Sequence, residues 1–302
     1  MVPEVTILIP TCNRPEALAA SLSLLGPQVS PGASVEIRIC DDSDTDGTRD
    51  MLAKDFPQVI RIPGPRRGPG ANRNAGAETA LGRWLVFLDD DVLPHAAYFS
   101  AMLAAMRDPA NGGHVLAGAT FRSGADKDSL LFESPHYDRP VGLPPSCNFA
   151  MPREVFLASG GFDERFRHSF EDMEFFARLE RSGVRRRFVK EAAVDHPIRR
   201  LPPPAALARR WEARVISGFD SGASAPGLLW RLPRHVFLVI LARFRGRKPD
   251  GASLLAAGIF VAEFFLTVVR LPGWLLKYRA QPVSSFWSGQ MAKGHRQPGF
   301  GL

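Results

Sequence analysis

Apolar positions in the first 120 residues gather into four short runs rich in Val and Ile: "VTILIP" (5–10), "VEIRIC" (35–40), "QVIRIP" (58–63) and "WLVFLD" (84–89). Their length and β-branched content predict strands. Between them, "PEALAASLSLLG" (15–26), "DGTRDMLAKDF" (46–56) and "NRNAGAETALG" (72–82) have helical character. The first opens on Pro15 and stops at Gly26, where proline and glycine punctuate a helix. Alternation of this kind predicts right-handed crossovers and an α/β fold, a mainly parallel sheet flanked by helices. Ligands of such sheets lie beyond the carboxyl ends of the strands. Three of those ends carry polar clusters: "PTCNR", "DDSDTDGT" and "DDD". Each alone makes a good turn. Together they predict a ligand site on one sheet edge.

From about 110 to 145 the pattern loosens ("NGGHV", "RSGADKDS", "DRPVGLPPS") and predicts a central loop. Order returns with "CNFAMPREVFLASGGFDERF", and "EDMEFFARLERSG" (171–183) predicts a helix stopped by Gly183. "RRRFVKEAAVDHP" reads as one or two strands, and "PPP" at 202–204 as a linker. Beyond it the pattern predicts a helix around 205–219 and two apolar arms, near 228–245 and 252–270. The expected division is a main domain over 1–200, with halves of about 1–120 and 121–200, and a helical extension over 201–302.

Charge sharpens that division. The formal net charge is +7, yet residues 1–200 hold 24 Lys/Arg against 27 Asp/Glu, while residues 201–302 hold 14 against 4. Basic stretches can bind nucleic acid, but this one is interleaved with "VFLVILA" and "LLAAGIFVAEFFLTVV", which fits an anionic membrane surface better. No nucleic-acid partner is expected. Glu263 sits mid-way along the second arm, where burial in lipid costs roughly 2.5–3.5 kcal/mol. Arg231, Arg234, His235 and Arg243 interrupt the first arm. Both therefore read as interfacial helices rather than spans, with Trp230, Trp274 and Trp287 at interfacial depth. The start "MVPEVTILIPTCNRP" lacks a basic leader and reads as no signal peptide. Cys12, Cys40 and Cys147 form no disulfide or zinc spacing and read as small buried residues in a reducing compartment. The expected location is the cytoplasmic face of the cell membrane.

Candidate chemistry begins with Asp89, Asp90 and Asp91. Crowded carboxylates offer oxygen donors, which suit Mg²⁺ or Mn²⁺ better than zinc. On an extended backbone Asp89 and Asp91 point the same way. A solvated turn before the "PHAAYFSAMLAAM" helix would use the same residues. Read for chemistry, the three acids await a cation that arrives with the substrate rather than a basic side chain.

In order, "VTILIPTCNRPEAL", "CDDSDTDGT", "RGPGANRNAGAETALGRWLVFLDDD", "CNFAMPREVFLASGGFDERF" and "FEDMEFFARLERSG" resemble an inverting family 2 glycosyltransferase of GT-A fold, over roughly residues 4–197. The resemblance implies that Pro10, Thr11, Asn13 and Arg14 lie along the nucleotide of a nucleotide-diphosphate sugar, and that Asp42 reads its base. It places Arg73 near the pyrophosphate, Asp89 on the ribose or sugar and Asp91 on the metal, with Asp90 close to the donor. Inverting transfer needs one carboxylate to deprotonate the attacking hydroxyl. The resemblance gives that role to Asp172, with Glu171 as its neighbour and orienter. Acids here also favour a helix start on their own account. His196 in "VDHP" matches a metal-site histidine, and Gly160 and Gly161 would allow close backbone approach. The implied cofactor is Mn²⁺ or Mg²⁺, and the implied acceptor a glycan or lipid-linked glycan of the cell envelope. Competing readings are a metal-dependent sugar nucleotidyltransferase, which should show a glycine-rich loop absent from "PTCNRPEAL", a glycoside hydrolase with paired carboxylates, and a non-catalytic sugar-binding protein.

Overall fold

The computed structural model describes residues 2–29, 34–126, 128–246 and 250–279. β1 (Val5–Thr11) is buried from end to end because it has a neighbour on each edge and packed faces above and below. Then follow α1 (Pro15–Leu25), β2 (Val35–Asp41), α2 (Gly47–Asp55), β3 (Ile60–Pro63), α3 (Pro69–Thr79) and β4 (Trp84–Leu88). β2 and β4 flank β1 in parallel, and β3 joins β2 in parallel. The pleat sorts their side chains to two cores. Ile7, Ile9, Val86 and Leu88 face α1 and a later helix, Tyr98–Arg107, while Leu8, Leu85 and Phe87 face a phenylalanine-rich layer.

The second half holds β5 (Leu93–Pro94), α4 (Tyr98–Arg107), β6 (Val115–Ser123), β7 (Phe132–Glu133), β8 (Asn148–Pro152), α5 (Arg153–Ala158), α6 (Glu171–Arg181), β9 (Arg186–Pro197) and β10 (Arg199–Arg200). The main sheet runs β3-β2-β1-β4-β8-β6-β9-β5. β8 is antiparallel to both β4 and β6, whereas β6 and β9 are parallel. The result is a mixed, mostly parallel α/β sheet.

β6 corrects the expected central loop. Its middle is "AGA", too small to signal a strand, and lies where its parallel pairing with β9 shifts register between Gly118 and Thr120. A Cβ at Gly118 would lie 2.2 Å from the Ala192 carbonyl oxygen. Asn148 bridges the irregularity by donating to the carbonyls of Ala119 and Ala192, at 2.9 and 3.0 Å. Apart from β7, the described residues from Gly124 to Cys147 form no regular strand or helix.

Past the prolines the chain makes two helices where the pattern predicted one: α7 (Pro204–Arg210) and α8 (Glu212–Asp220). α9 (Ala225–Phe244) and α10 (Gly251–Tyr278) complete the described chain. They share a core with the preceding part of the chain, in which Leu207, Val215, Leu232, Val236, Phe260 and Leu271 cluster with Phe166. Glu263 is buried here, its Oε1 accepting from the Trp211 indole at 2.6 Å. Trp274, expected at a membrane interface, is instead part of this core, whereas Trp230 is 86% exposed. Trp287 lies outside the described residues.

Candidate active site

The carboxyl ends of β1, β2 and β4 open on a cleft of ≈ 840 Å³, closed opposite by the start of α6 and the end of β9. Pro10, Thr11, Arg14, Asp42, Arg73, Asp89, Asp90, Glu171, Asp172 and His196 all line it. Asn13 and Asp91 do not line it; Asn13 is exposed at its edge and Asp91 is buried next to Asp90. Asn13 braces two loops, its amide donating to Ser43 Oγ at 2.8 Å and its Oδ1 accepting from the Asp44 amide at 3.0 Å. Among the described residues, the non-glycine positions with positive φ are Asn13, Arg66 and Phe170. All three border the cleft, where such strain concentrates in functional sites. Gly160 and Gly161 also have positive φ, and a Cβ at Gly161 would lie 2.5 Å from Asn74 Oδ1.

The aspartates do not wait for a cation alone, contrary to the sequence reading. Each already has an arginine, drawn from distant parts of the chain. Buried Arg73 of α3 donates to Asp89 at 2.6 Å. Although burial pushes its acid up, Arg73, His196 and Arg199 together hold Asp89 below the ordinary carboxylate range. Asp90 accepts from Thr11 Oγ1 at 2.7 Å and lies 3.0 Å from Arg14. Burial pushes its acid up to about 6 against those two partners. Asp91 Oδ2 is gripped by Arg199, while its Oδ1 is buried without a hydrogen-bond partner, 3.5 Å from His196 Nε2.

That orphaned oxygen bears on the metal. His196 Nδ1 is 3.1 Å from the Pro197 carbonyl, which can only accept, so Nδ1 is the donor there and Nε2 is the ring atom turned toward Asp91. Donor atoms of Asp89, Cys147 and His196 fall within 4.8 Å of one another. Burial and the charge of Asp89 raise the Cys147 thiol well above its ordinary range, so it keeps its proton. What remains is carboxylate oxygen and one imidazole, a set that fits a hard divalent cation.

On the opposite wall, the first turn of α6 presents two acids. Glu171 lies 3.5 Å from Arg73. Burial and the neighbouring Asp172 push its acid up to about 7, with Arg73 opposing. Burial also raises Asp172, whose Oδ1 accepts from the Met173 amide at 2.7 Å. Among the described residues no ion pair engages Asp172.

A family model described as "Glycosyl transferase family 2" matches residues 6–170, more than half of the chain. The chain belongs to that family. As a glycosyltransferase it is 30% identical over 225 residues to a validoxylamine A glucosyltransferase of Streptomyces hygroscopicus subsp. limoneus, a match covering 61% of this chain and 49% of that protein. The chain thus spans about half the length of that relative. It is 28% identical over 282 residues to the succinoglycan biosynthesis protein ExoA of Rhizobium meliloti, covering 85% of each. Among solved structures, TarS 1-349 of S. aureus superposes with a TM-score of 0.56 at 15% identity, covering 96% of this chain and 92% of that one. The mannosyltransferase PcManGT of Pyrobaculum calidifontis, in complex with GDP-Man and Mn²⁺, gives 0.54 at 17% identity, covering 95% and 88%. These likenesses establish a GT-A-type α/β fold.

Several groups in this glycosyltransferase's cleft escaped the sequence reading: Arg199, Arg210, Glu133 and His168. Arg210 holds Glu133 through two bonds of 2.7 and 2.5 Å. Arg210 was hidden inside the basic stretch assigned to a membrane, and Arg199 just ahead of it. The only hint was that both flank the "PPP" turn leading back from β9.

Proposed function

We propose that this glycosyltransferase moves a sugar from a nucleotide-diphosphate sugar to a hydroxyl of a cell-envelope polysaccharide or lipid-linked glycan, with inversion in one displacement. The observation that carries it is Asp172: a raised carboxylate with no ion pair among the described residues, lining the same cleft as Asp89 and Asp90. Glu171 is tethered by Arg73, which leaves Asp172 to take the proton of the attacking hydroxyl. Pro10, Thr11, Asn13 and Arg14 would lie along the nucleotide and Asp42 against its base. Arg73 and Asp90 would stand near the diphosphate, and Asp89 near the ribose or sugar. Asp91 and His196, with Asp89 beside them, would hold Mn²⁺ or Mg²⁺. When bound, that ion neutralises charge developing on the leaving diphosphate. The Mn²⁺ in the PcManGT complex supports the metal reading, and the name of ExoA supports a polysaccharide acceptor.

On this reading residues 1–200 are the catalytic unit and 201–302 rest on the cytoplasmic face of a membrane. α9 and α10 are long and apolar enough to cross one, yet only 17% and 22% of their most apolar windows is buried. On α9, exposed Leu229, Trp230, Phe237 and Leu241 share one sector, and exposed Arg231 and Arg234 stand on the sector beside it. Apolar side chains in one leaflet with arginines on lipid phosphates satisfy both sectors.

Thermal stabilisation by a panel of UDP-, GDP- and dTDP-sugars identifies the donor. Asp172→Asn should keep that stabilisation and lose acceptor-dependent release of nucleoside diphosphate by ~10²–10⁴-fold. Full-rate release by Asp172→Asn would overturn the base.

A further inference from the structure

The residue that delivers Glu171 and Asp172 to the cleft is strained. Phe170 has φ 73 and ψ 0, left-handed, with no side-chain cap on the helix it precedes. An aromatic residue stays there only where its surroundings over-determine it. Its carbonyl accepts from the Glu174 amide at 3.0 Å, which begins α6. On the α3 side the turn faces Gly70, where a Cβ would sit 3.4 Å from Glu171 Cβ and 3.1 Å from Phe162 Cβ.

The other side of the turn is held by the helical segment, beyond the residues that the family model matches. The Arg214 guanidinium carbon stands 4.3 Å from the Phe170 ring centroid. Ser169 Oγ donates to the Arg210 carbonyl at 3.2 Å. His168 Nε2 is 3.9 Å from Glu212, which Lys277 and Tyr278 at the end of α10 hold at 2.9 and 2.8 Å. The Phe170 ring itself packs against the core of α7–α10. Of the charged and polar contacts, the cation over the ring is the one made to the strained residue itself.

We propose that Arg214 is a positioning residue for glycosyl transfer: by lying on Phe170 it holds the left-handed turn that aims Asp172 into the cleft. The helical segment is then a working part of the active site as well as a platform. Without the guanidinium, Phe170 relaxes toward ordinary backbone angles, and the first turn of α6 turns both acids with it. The role rests on Asp172 as the base, and the experiment separates the two.

Hydrogen exchange on the full-length chain needs no ligand. In Arg214→Ala, exchange at the Met173 and Glu174 amides should rise ~10-fold while β1–β4 stays protected. With the donor that the nucleotide-sugar panel identifies, kcat should fall ~10-fold at unchanged donor KM and unchanged Mn²⁺ affinity. Arg214→Lys, which keeps a cation over the ring, should recover most of both losses. The backbone signature lies at Phe170. Phe170→Gly adopts the left-handed turn freely and should retain more kcat than Phe170→Ala, and adding Arg214→Ala to it should cost nothing more. A packing role alone gives the reverse order, because alanine keeps more apolar surface. Wild-type exchange and kcat in Arg214→Ala, or Phe170→Ala outperforming Phe170→Gly, would overturn the proposal. Should Asp172→Asn remain active while Arg214→Ala still frees the α6 amides, the base assignment falls and the clamp stands. An inactive Asp172→Asn beside unchanged exchange in Arg214→Ala gives the converse.

Discussion

β4 and α10 both start from uninterrupted apolar runs and end in opposite surroundings. Trp84–Leu88 is buried throughout, whereas Leu254, Leu255, Val261, Phe265 and Val269 of α10 face outward. The polar residues account for the difference. Beyond β4, Asp89–Asp91 are matched by Arg73, Arg14 and Arg199, so charge is buried where it has partners. On α10, Glu263, Thr267 and Lys277 all bond back to the protein or their own helix, and the outer stripe carries no such group. Burial thus follows from where the polar partners lie, not from how apolar a run is.

The sharpest way to break the cleft side of the comparison is to remove the metal. EDTA should abolish turnover, and Mn²⁺ or Mg²⁺ should restore it; turnover indifferent to EDTA would exclude the metal site. Asp91→Asn should weaken Mn²⁺ binding ~10–100-fold, read by calorimetry without substrate. On the helical side, Trp230→Glu combined with Phe237→Glu should cut co-sedimentation with anionic liposomes ~10-fold while leaving turnover on a soluble acceptor intact. Equal pelleting of wild type and variant would remove the membrane from the picture. A smaller effect is expected at Glu263. Replacement by Ala leaves the Trp211 indole unpaired and opens space, and chemical denaturation should show a loss of ~1–3 kcal/mol.

The last test compares the two walls of the cleft by pH. Glu171 is raised from an ordinary 4.5 to about 7 by burial and Asp172, so its neutral form is favoured in the folded chain. Its contribution to stability is complete below about pH 4.5 and is lost as pH rises through 7. Glu171→Gln, always neutral, should therefore match wild type near pH 4 and exceed it above pH 7. A Tm gap of roughly 2–4 °C is the expected scale. A gap that shrinks with rising pH would reverse the assignment.

Much of the cleft was legible because its parts are local. Strands β1–β4 carry short apolar runs, Val- and Ile-rich in β1–β3, and the acids and Asn13–Arg14 follow directly after them in the chain. What escaped was non-local or small. β6 hides because its middle, Ala117, Gly118 and Ala119, is small, with Gly118 required by the close approach of the Ala192 carbonyl, and small residues give no strand signal. Arg199 meets Asp91 across 108 positions, a pairing that no spacing rule contains. Trp274 looked interfacial by composition, yet its helix turns it inward. The left-handed Phe170 was equally invisible, since nothing in "SFED" asks for positive φ.

The bond between Glu263 and Trp211 sets a direction as well as a contact. α10 cannot roll about its own axis without tearing that carboxylate from the indole, so Leu254, Phe265 and Val269 keep a constant heading relative to Asp172. Were that stripe to rest on lipid as proposed, the enzyme would stand like an instrument on a fixed foot, its cleft held at one height above the surface. Acceptors would then be sorted by reach: a glycan end that projects to that height is in focus, and a shorter or longer one is not.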